Sequence, residues 1–336
     1  MGLKYIPMDA ANNVVAADIY KAIKLEWETF QSNNNKVRIR DAANQLGTSE
    51  ASLLSTEIDK NTLFLNIDNY NHFITKILSI DKIMLLVRSN SVVHEKTITT
   101  IGVELKEDKI IDNNTNSPIL EFDSAQFQYV FYQKKTHAGR SLRSFQIFDR
   151  FGDAIVKIYL KGKDKLKFDK IVNQYKSDYK YQLQNPPPSQ ASIQRTTKGL
   201  SINFLKKIEK NKIHQYDSDG STLRKIISMA SKTKTPIQIH AIGSKTIQYH
   251  RDLVNKVVDF GPWINIMDKS FNLHVIENDI KKTTINEYKI KNDIFYLIDF
   301  YDKLGNYVLG ICSLKLFNKD FNKMINKINQ PIKQEI

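Results

Sequence analysis

Seven histidines and one cysteine are the side chains of this 336-residue sequence best suited to binding a transition metal. No H-x-x-x-H or C-x-x-C motif occurs, and Cys312 alone makes neither a disulfide nor a cysteine-only metal site. The phosphate-binding pattern G-x-x-x-x-G-K and the nucleophile pattern G-x-S-x-G are also missing. Interpretations as a zinc protein, a nucleotide-binding protein or a hydrolase therefore lack support.

The charge balance is the most informative bulk property. Lysine and arginine number 50 against 36 acidic residues, which gives a formal net charge of +14. This excess favours anionic partners such as nucleic acid, acidic membrane surfaces or ligands with carboxylates, although a general enrichment in lysine accounts for it equally well. No run of 18 apolar residues and no signal-peptide stretch occurs, so we expect no membrane insertion and a cytoplasmic location.

The elements that must position these side chains can be predicted from hydrophobic periodicity. Residues 16–31 have the apolar spacing of an amphipathic helix, and two short helices follow around Gly47, with Ser49 as a helix N-cap. Residues 82–161 alternate as β-strands do, and a charged segment after them resembles a surface helix. The "NPPPSQAS" segment at 185–192 then breaks regular structure. A short helical region at 200–232 precedes a second set of strands.

The second half of the chain repeats the first. A shift of 153 residues aligns residues 148–152 with residues 301–305 and places Leu120 on Leu273. Both Asp-x-x-Gly stretches predict hairpin turns. We therefore predict an α+β fold made by tandem duplication, in which each repeat is a large antiparallel β-sheet with helices packed on one side. The repeats are placed at residues 16–180 and 195–320, joined by a proline-rich linker at 181–194, and the helical part of the second is shortened.

Four stretches carry a resemblance to a known family: "RIRDAANQLGTSEASLL" at 38–54, "RSNSVVHEK" at 88–96, "SFQIFDRFGDAIVKIYL" at 144–160 and "GPWINIMDKSFNLHV" at 261–275. They resemble segments of the cytoplasmic hemin-degrading factors, the HemS- and ChuS-like heme-utilisation carriers of Gram-negative bacteria. The likeness spans nearly the whole chain in the right order. It implies two repeats and one heme, bound in a cleft beside the C-terminal repeat.

The resemblance also implies a function in heme trafficking and iron acquisition. Members of the family pass heme to a heme oxygenase, and some degrade heme themselves. Heme is therefore the expected ligand, and a heme oxygenase or a heme importer the expected protein partner. Heme binding needs an axial ligand to iron, an apolar surface for the macrocycle and cations for two propionates.

The family's proximal histidine gives two alternatives in this chain. If "KIHQYD" matches the H-Q-F-F motif of the family, His214 is the iron ligand. If residues 202–213 match the helix instead, the ligand position falls on Ser201 or Ile202, and neither ligates iron well. The family's distal arginine is matched by Glu121, which cannot donate a hydrogen bond to bound oxygen while ionised, so heme cleavage is doubtful.

Further candidates for heme contact come from the same alignment. Lys289 and Lys291 lie near the family's propionate-binding residues, and Lys315 takes the place of an arginine. Cys312 takes the place of a tyrosine and is either an iron ligand or a small buried residue. His94 is either a secondary heme contact or a buried histidine of the sheet.

Two other functions remain open at this point. Altered proximal and distal positions favour a protein that lost its heme site and acts as an adaptor or binds another anion. The segment around Gly47 resembles a helix-turn-helix, and the net charge suits DNA. Its second helix, however, carries Ser, Glu and Leu rather than base-reading side chains, so nucleic-acid binding is disfavoured.

Overall fold

The structure is a computed structural model that describes residues 10–34, 37–137, 139–177, 210–314 and 318–328. Its helices are α1 (Ala10–Asn33), α2 (Ile39–Gln45), α3 (Glu50–Ser55), α4 (Tyr70–Ile77), α5 (Lys165–Tyr175), α6 (Ser221–Thr233) and α7 (Asn318–Ile328). Within these segments, no helix is both long enough and apolar enough to cross a membrane.

The strands of the first half are β1 (Thr62–Leu65), β2 (Lys82–Arg88), β3 (Val92–Thr99), β4 (Val103–Lys106), β5 (Lys109–Asp112), β6 (Ser117–Phe122), β7 (Tyr129–His137), β8 (Arg140–Phe148) and β9 (Ala154–Leu160). Those of the second half are β10 (Lys212–Ser218), β11 (Ile237–Gly243), β12 (Thr246–Asp252), β13 (Val257–Phe260), β14 (Trp263–Met267), β15 (Phe271–Ile276), β16 (Lys282–Ile290), β17 (Asp293–Tyr301) and β18 (Tyr307–Ser313).

These strands form two antiparallel sheets that exchange three strands. Sheet A has the order β1-β7-β8-β9-β2-β3-β15-β14-β13, and sheet B has the order β10-β16-β17-β18-β11-β12-β6-β5-β4. Each sheet thus takes six strands from one half of the chain and three from the other. The predicted α+β class and the two large antiparallel sheets are confirmed. The exchange of β4–β6 for β13–β15 was not predicted.

Equivalent strands of the two sheets pair in the same register. β1 pairs with β7 at Thr62 and Gln133, and β10 pairs with β16 at Gln215 and Asn286, each 153 residues further along the chain. The same shift relates the two Asp-x-x-Gly turns. Gly152 N–H donates to the Asp149 carbonyl at 2.9 Å, and Gly305 N–H donates to the Asp302 carbonyl at 3.0 Å. Both glycines have φ +77°, a conformation that costs other residues energy.

The inner faces of the sheets form the main core. In sheet A this face packs on α4 and α5, and in sheet B it packs on α6 and α7. Each core also takes side chains from the exchanged strands of the other sheet, such as Leu120 in the first and Leu273 in the second. The sheets also bond to each other directly, because Gln248 Nε2 donates to the Leu85 carbonyl at 3.1 Å. The exchange therefore builds each core from residues of both halves of the chain.

Helices α1–α3 cover the outer face of sheet A. Ser49 caps α3 as predicted, with its Oγ accepting from the Ser52 N–H at 3.1 Å. All six residues of α3 are buried, and Ala51 and Leu54 pack on Phe131 and Phe148 of the sheet. A side chain at Gly152 would collide with the Ser49 hydroxyl, so glycine lets the β8–β9 turn approach this helix.

Buried charges fasten these helices to sheet A. Glu50 of α3 pairs with Lys157 of β9, and Arg40 of α2 lies 4.0 Å from Glu50 and 3.6 Å from Asp153. Burial alone would raise the pKa of Glu50, but Lys157, Arg40 and Arg88 lower it below its usual value. The group remains an ionised carboxylate among cations. Removing one member would leave its partners charged and uncompensated.

One secondary-structure prediction is wrong for the described residues. Residues 212–218, placed in a helical region by the sequence, form strand β10 at the edge of sheet B. Isoleucine and tyrosine at Ile213 and Tyr216 favour a strand, and pairing with β16 decides the conformation. The proposed linker at 181–194, together with Ser201 and Ile202, lies outside the described residues. The domain limits at 16–180 and 195–320 therefore stay a prediction.

Candidate functional site

The face of sheet B on which each candidate residue lies follows from strand register. Ile239 of β11 belongs to the inner core with α6 and α7. Neighbouring residues of a strand alternate between faces, so Gln238 and His240 lie on the outer face. Paired residues of neighbouring strands share a face, so Cys312, which pairs with Gln238, also lies on the outer face. Ile247 pairs with Ile242 of the same outer row of β11, and Glu121 pairs with Ile247, so Glu121 lies on the outer face too. The inner and outer faces thus hold different candidates.

A first chain of polar contacts crosses the outer face of sheet B near the exchanged strands. Tyr249 Oη donates to Glu121 Oε1 at 3.0 Å. Arg251 Nε donates to Gln238 Oε1 at 2.7 Å, and Gln238 Nε2 approaches Cys312 Sγ at 3.3 Å. Burial and the neighbouring Glu121 carboxylate raise the pKa of Tyr249, so its hydroxyl stays protonated. Glu121 is therefore an acceptor engaged with a neighbour rather than a donor to a ligand.

A second chain lies further along the same face. Tyr307 Oη donates its hydrogen bond to Asp299 Oδ1 at 2.7 Å. Since the hydroxyl has one hydrogen, the same oxygen accepts a hydrogen bond from His240 Nε2 at 2.7 Å. Asn286 Nδ2 donates to the other oxygen of Asp299 at 2.8 Å. Burial lowers the pKa of His240 to about 3, so the ring is neutral. A Cβ at Gly310 would overlap both the tyrosine and the histidine, which explains the glycine.

Cys312 lies within this outer-face network as a buried thiol. It is 1% exposed and packs with Tyr288 and Leu297. Burial raises the pKa of Cys312 to about 12, so the thiol is protonated at neutral pH. Only the thiolate binds metals well. This environment favours the role of a small core residue over that of an iron ligand.

His94 lies between the two sheets and away from any surface. Its ring is fully buried, with a centroid 4.9 Å from that of Phe271. The ring of His250 stacks on the same phenylalanine, with the two centroids 3.6 Å apart. Burial and the nearby His250 lower the pKa of His94 well below its usual value. The histidine is therefore neutral and enclosed by the core. A ligand on the outer face of sheet B cannot reach it.

His214 and Glu121 lie on opposite faces of sheet B. His214 pairs with Glu287. Tyr216, which follows two residues later on the same strand, pairs with Ile285 of the inner core. His214 consequently shares the inner-face side, whereas Glu121 lies on the outer face. The two residues cannot hold one iron from its two sides, as the proximal and distal residues of the resembled family would.

The structure places two of the predicted lysines on β16, which pairs with the strand that carries His214, or on the turn after β16. Lys289 follows Glu287 by two residues on β16 and lies on the same side as His214, with its N–H bonded to the Asn211 carbonyl at 2.9 Å. Lys291 occupies the β16–β17 turn with φ +56°. All three side chains are exposed. We call this region the β10–β16 corner; Lys315, the third predicted lysine, lies outside the described residues.

Apolar side chains accompany the histidine at this corner. Ile213 is 43% exposed and Tyr216 is 45% exposed, both unusually high for large side chains of a strand. The rings of Tyr216 and His214 are 6.0 Å apart, and Tyr216 Oη contacts Glu287 Oε2 at 3.4 Å. No hydrogen bond to the His214 ring occurs among the described residues. The corner thus offers an available imidazole, an apolar surface and two cations.

Comparison with known proteins assigns the chain to a family. The model of the haemin-degrading HemS.ChuX domain matches residues 47–175 and again residues 210–325. The chain belongs to this family. Hemin transport protein HemS of Yersinia enterocolitica is 20% identical over 313 residues, which are 86% of this chain and 90% of that protein. HmuS of Yersinia pestis, also described as a hemin transport protein, is 21% identical over 287 residues, 78% of this chain and 83% of that one.

Solved structures show the same fold over almost the full length. The heme degrading enzyme ChuS of Escherichia coli O157:H7 superposes with a TM-score of 0.76 at 17% identity, covering 92% of this chain and 99% of that one. Holo-PhuS, a heme-binding protein from Pseudomonas aeruginosa, gives a TM-score of 0.74 at 19% identity, covering 92% and 97%. The duplicated two-sheet architecture of this HemS/ChuX member is therefore that of its family.

The outer-face residues Tyr249 and Arg251 were missed by sequence reasoning, although a signal was present. In the strand "TIQYHRD" of β12, successive side chains point to opposite faces, so Ile247, Tyr249 and Arg251 share one face. His250 takes the opposite face and enters the core. The sequence does not show which of these two faces is the outer one. That depends on the strand order of sheet B, in which β12 pairs with β6 from the other half of the chain.

Proposed function

We propose that this protein binds heme and carries it within the cell in heme utilisation and iron acquisition. The observation that carries the proposal is the match of the haemin-degrading domain to both halves of the chain. Relatives of nearly the same length are named for hemin transport and heme binding. A carrier exchanges its cargo with other proteins, and a heme importer and a heme oxygenase in the cytoplasm are the partners that this function calls for.

We place the heme-binding site at the β10–β16 corner. A neutral imidazole is a common ligand of heme iron, and His214 is exposed and free of hydrogen bonds to its ring among the described residues. Ile213 and Tyr216 supply apolar surface beside it. Lys289 and Lys291 can pair with the propionates as point charges. Heme here is a cargo, and the corner supplies its ligand and its counter-charges.

We also propose that binding occurs without efficient cleavage of heme. Glu121, which matches the family's distal arginine, faces away from this corner and accepts from Tyr249. It therefore offers no hydrogen bond to oxygen on the iron. With ascorbate and catalase added to the loaded protein, we expect the Soret band to persist. Its rapid loss in the presence of catalase would show catalytic degradation.

A hemin titration followed at the Soret band tests the binding site. The wild type should give a saturating shift at one hemin per chain, and His214→Ala should weaken binding at least tenfold because the axial bond is lost. His72→Ala is the matched control, since His72 is an exposed histidine on α4, remote in sequence from the corner. Equal titrations of the wild type and His214→Ala would overturn the assignment of the ligand.

The lysines are tested separately from the net charge. Lys289→Gln combined with Lys291→Gln should weaken hemin binding several-fold. Lys60→Gln combined with Lys163→Gln removes the same charge from exposed positions of the first half and should leave binding unchanged. If both double variants lose affinity equally, the general basic charge attracts hemin and the corner has no specific role.

A non-saturating titration of the wild type would favour the alternative function, an adaptor or a binder of another anion. The orientation of Glu121 and the protonated Cys312 are the observations behind that alternative. Nucleic-acid binding through the helix-turn-helix-like segment has no such observation, because every residue of α3 is buried against sheet A and α3 cannot enter a groove.

A further inference from the structure

The exchanged strands are attached to the two sheets to different extents. β15 pairs with β3 along residues 271–275. β6, its counterpart 153 residues earlier, pairs with β12 only along residues 120–122. The positions that would extend this second ladder are Ile119 and Pro118. The two ladders are otherwise equivalent, so the gap is a specific difference between the halves.

Pro118 and a β-bulge explain why the ladder of β6 ends early. The register between β5 and β6 shifts at Ile110 and Ile111, and the next paired residue is Pro118. Proline has no N–H to donate to a neighbouring strand, and bulges end regular pairing. The Pro118 carbonyl instead accepts from the Arg251 guanidinium of β12. In sheet A the same position holds Phe271, whose ring fills the space against His250.

The early end of the ladder leaves a cavity of about 510 Å³ between β3, β5, β6 and β12. This volume lies in the range of pockets that enclose small organic molecules. Apolar side chains form part of its wall: Ile98, Ile101, Val103, Ile119 and Leu314. Two cations, Lys96 and Arg251, and one carboxylate, Asp112, also line it. Asn114, Thr115 and Ser117 add hydrogen-bonding groups near the β5–β6 turn.

Lys96 forms no salt bridge in this cavity within the described residues. Among the described residues its ammonium group has no ion pair and no hydrogen bond. Burial and the neighbouring Arg251 lower the pKa of Lys96 to about 8, against weaker opposite effects of Asp252 and Asp112. Arg251 uses its guanidinium on Gln238 and Pro118 and is neutralised by no salt bridge within the described segments. Of the residues that line the cavity, two are cations and one is a carboxylate, while Asp252 outside the lining offsets part of the charge of Lys96.

We propose that this cavity is a binding site for an organic monoanion, a carboxylate on an apolar body, with the carboxylate between Lys96 and Arg251. The apolar wall requires the hydrocarbon part, and the two cations require the carboxylate. Asp112 in the same wall repels a second negative charge, so inorganic phosphate fits less well. This site does not depend on the proposed heme function, because it lies at the opposite end of sheet B from the β10–β16 corner.

Calorimetric titration with 2-naphthoate, and with its uncharged analogue 2-naphthamide, tests the proposal. The wild type should bind 2-naphthoate saturably and at least tenfold more tightly than 2-naphthamide. Lys96→Gln should lower the affinity for 2-naphthoate at least tenfold while leaving 2-naphthamide unchanged. Lys60→Gln is the control of equal charge. Equal affinity for the two ligands, or for the wild type and Lys96→Gln, overturns the proposal.

The pH dependence of binding gives a second readout that does not need a folded variant. Affinity for 2-naphthoate should fall as the pH rises through about 8, because Lys96 loses its proton there. The other charged or titratable groups around Lys96 are the Arg251 guanidinium, which stays protonated, the carboxylates of Asp112 and Asp252, and His94 and His250, whose pKa values are lowered by burial. An affinity that is constant between pH 7 and 9.5 would contradict the role of Lys96.

Discussion

The β10–β16 corner of sheet B and the equivalent β1–β7 corner of sheet A have the same backbone register and different chemistry. The residues 153 positions before His214, Lys289 and Lys291 are Asn61, Thr136 and Ala138. The Lys134 N–H bonded to the Asn61 carbonyl at 2.7 Å confirms that Asn61 occupies the position of His214. At these three equivalent positions, therefore, only the second half of the chain has an imidazole and two cations.

The two edge strands also differ in what covers them. Residues 175–177 lie along β1, with Ser177 N–H bonded to the Phe64 carbonyl at 3.0 Å and Asn66 N–H to the Tyr175 carbonyl at 2.8 Å. β10 is exposed over most of its length. A covered edge is protected and packed, and an open one is accessible to a ligand. Among the described residues, the edge strand of sheet A is therefore a packed element, whereas the edge strand of sheet B is exposed.

The largest expected effect concerns the two positions that end the exchanged ladders. Phe271→Ala should lower the free energy of unfolding by about 3–5 kcal/mol, because it removes a buried ring. Pro118→Ala at the equivalent position should change it by no more than about 1 kcal/mol, since this residue borders a cavity. Urea denaturation followed by circular dichroism measures both. Similar costs at the two positions would mean that the ladders are equally packed.

The buried charges on the outer face of sheet A come next. Glu50→Gln should lower the free energy of unfolding by about 3 kcal/mol, because Lys157 would stay buried without its counter-charge and Arg40 would keep only Asp153. Glu104→Gln removes an exposed partner of Lys106 and should cost less than about 1 kcal/mol. The same urea experiment compares the two. A cost below 1 kcal/mol for Glu50→Gln would show that the network does not hold α2 and α3 in place.

A pH-dependent effect is expected from the histidines buried between and on the sheets. Burial lowers the pKa of His240 and His250 to about 3 and that of His94 well below its usual value. Unfolded histidine takes up a proton below pH ~6.5, whereas these folded ones do not. Stability should therefore be full above that pH and fall as the pH drops, by about 1.4 kcal/mol per pH unit for each histidine.

Replacing one of these histidines should flatten the pH profile. His94→Leu should make the free energy of unfolding depend less steeply on pH between pH 6 and pH 4.5. The slope should fall by about 1.4 kcal/mol per pH unit, which corresponds to one proton per chain, and urea denaturation at each pH measures it. His72→Gln, at an exposed position, should leave the slope unchanged. An unchanged slope in His94→Leu would mean that His94 is protonated in the folded protein.

Local patterns in the sequence predicted local structure well. The two Asp-x-x-Gly turns, the Ser49 cap and the second set of strands are confirmed, because each depends on neighbouring residues. The charged segment after β9 forms the predicted helix, α5, although Phe168 and Val172 bury its apolar side in the core. The exchange of strands between sheets was not predictable, since alternation fixes two faces but not the partner strand.

The candidate site depends on that missing information. Motif alignment led to His214, Lys289 and Lys291, which the structure places at one corner, and equally to His94 and Cys312, which it places in the interior. Only the register across sheet B shows that His214 and Glu121 face opposite sides.

The central claim is that one of two equivalent corners binds heme, and the stoichiometry of the hemin complex tests it most directly. Native mass spectrometry of the wild type with a small excess of hemin should show one hemin per chain. His214→Ala should show none under the same conditions, and a circular dichroism spectrum identical to the wild type would establish that it is folded. Two hemins per chain, or one retained in His214→Ala, would contradict the account.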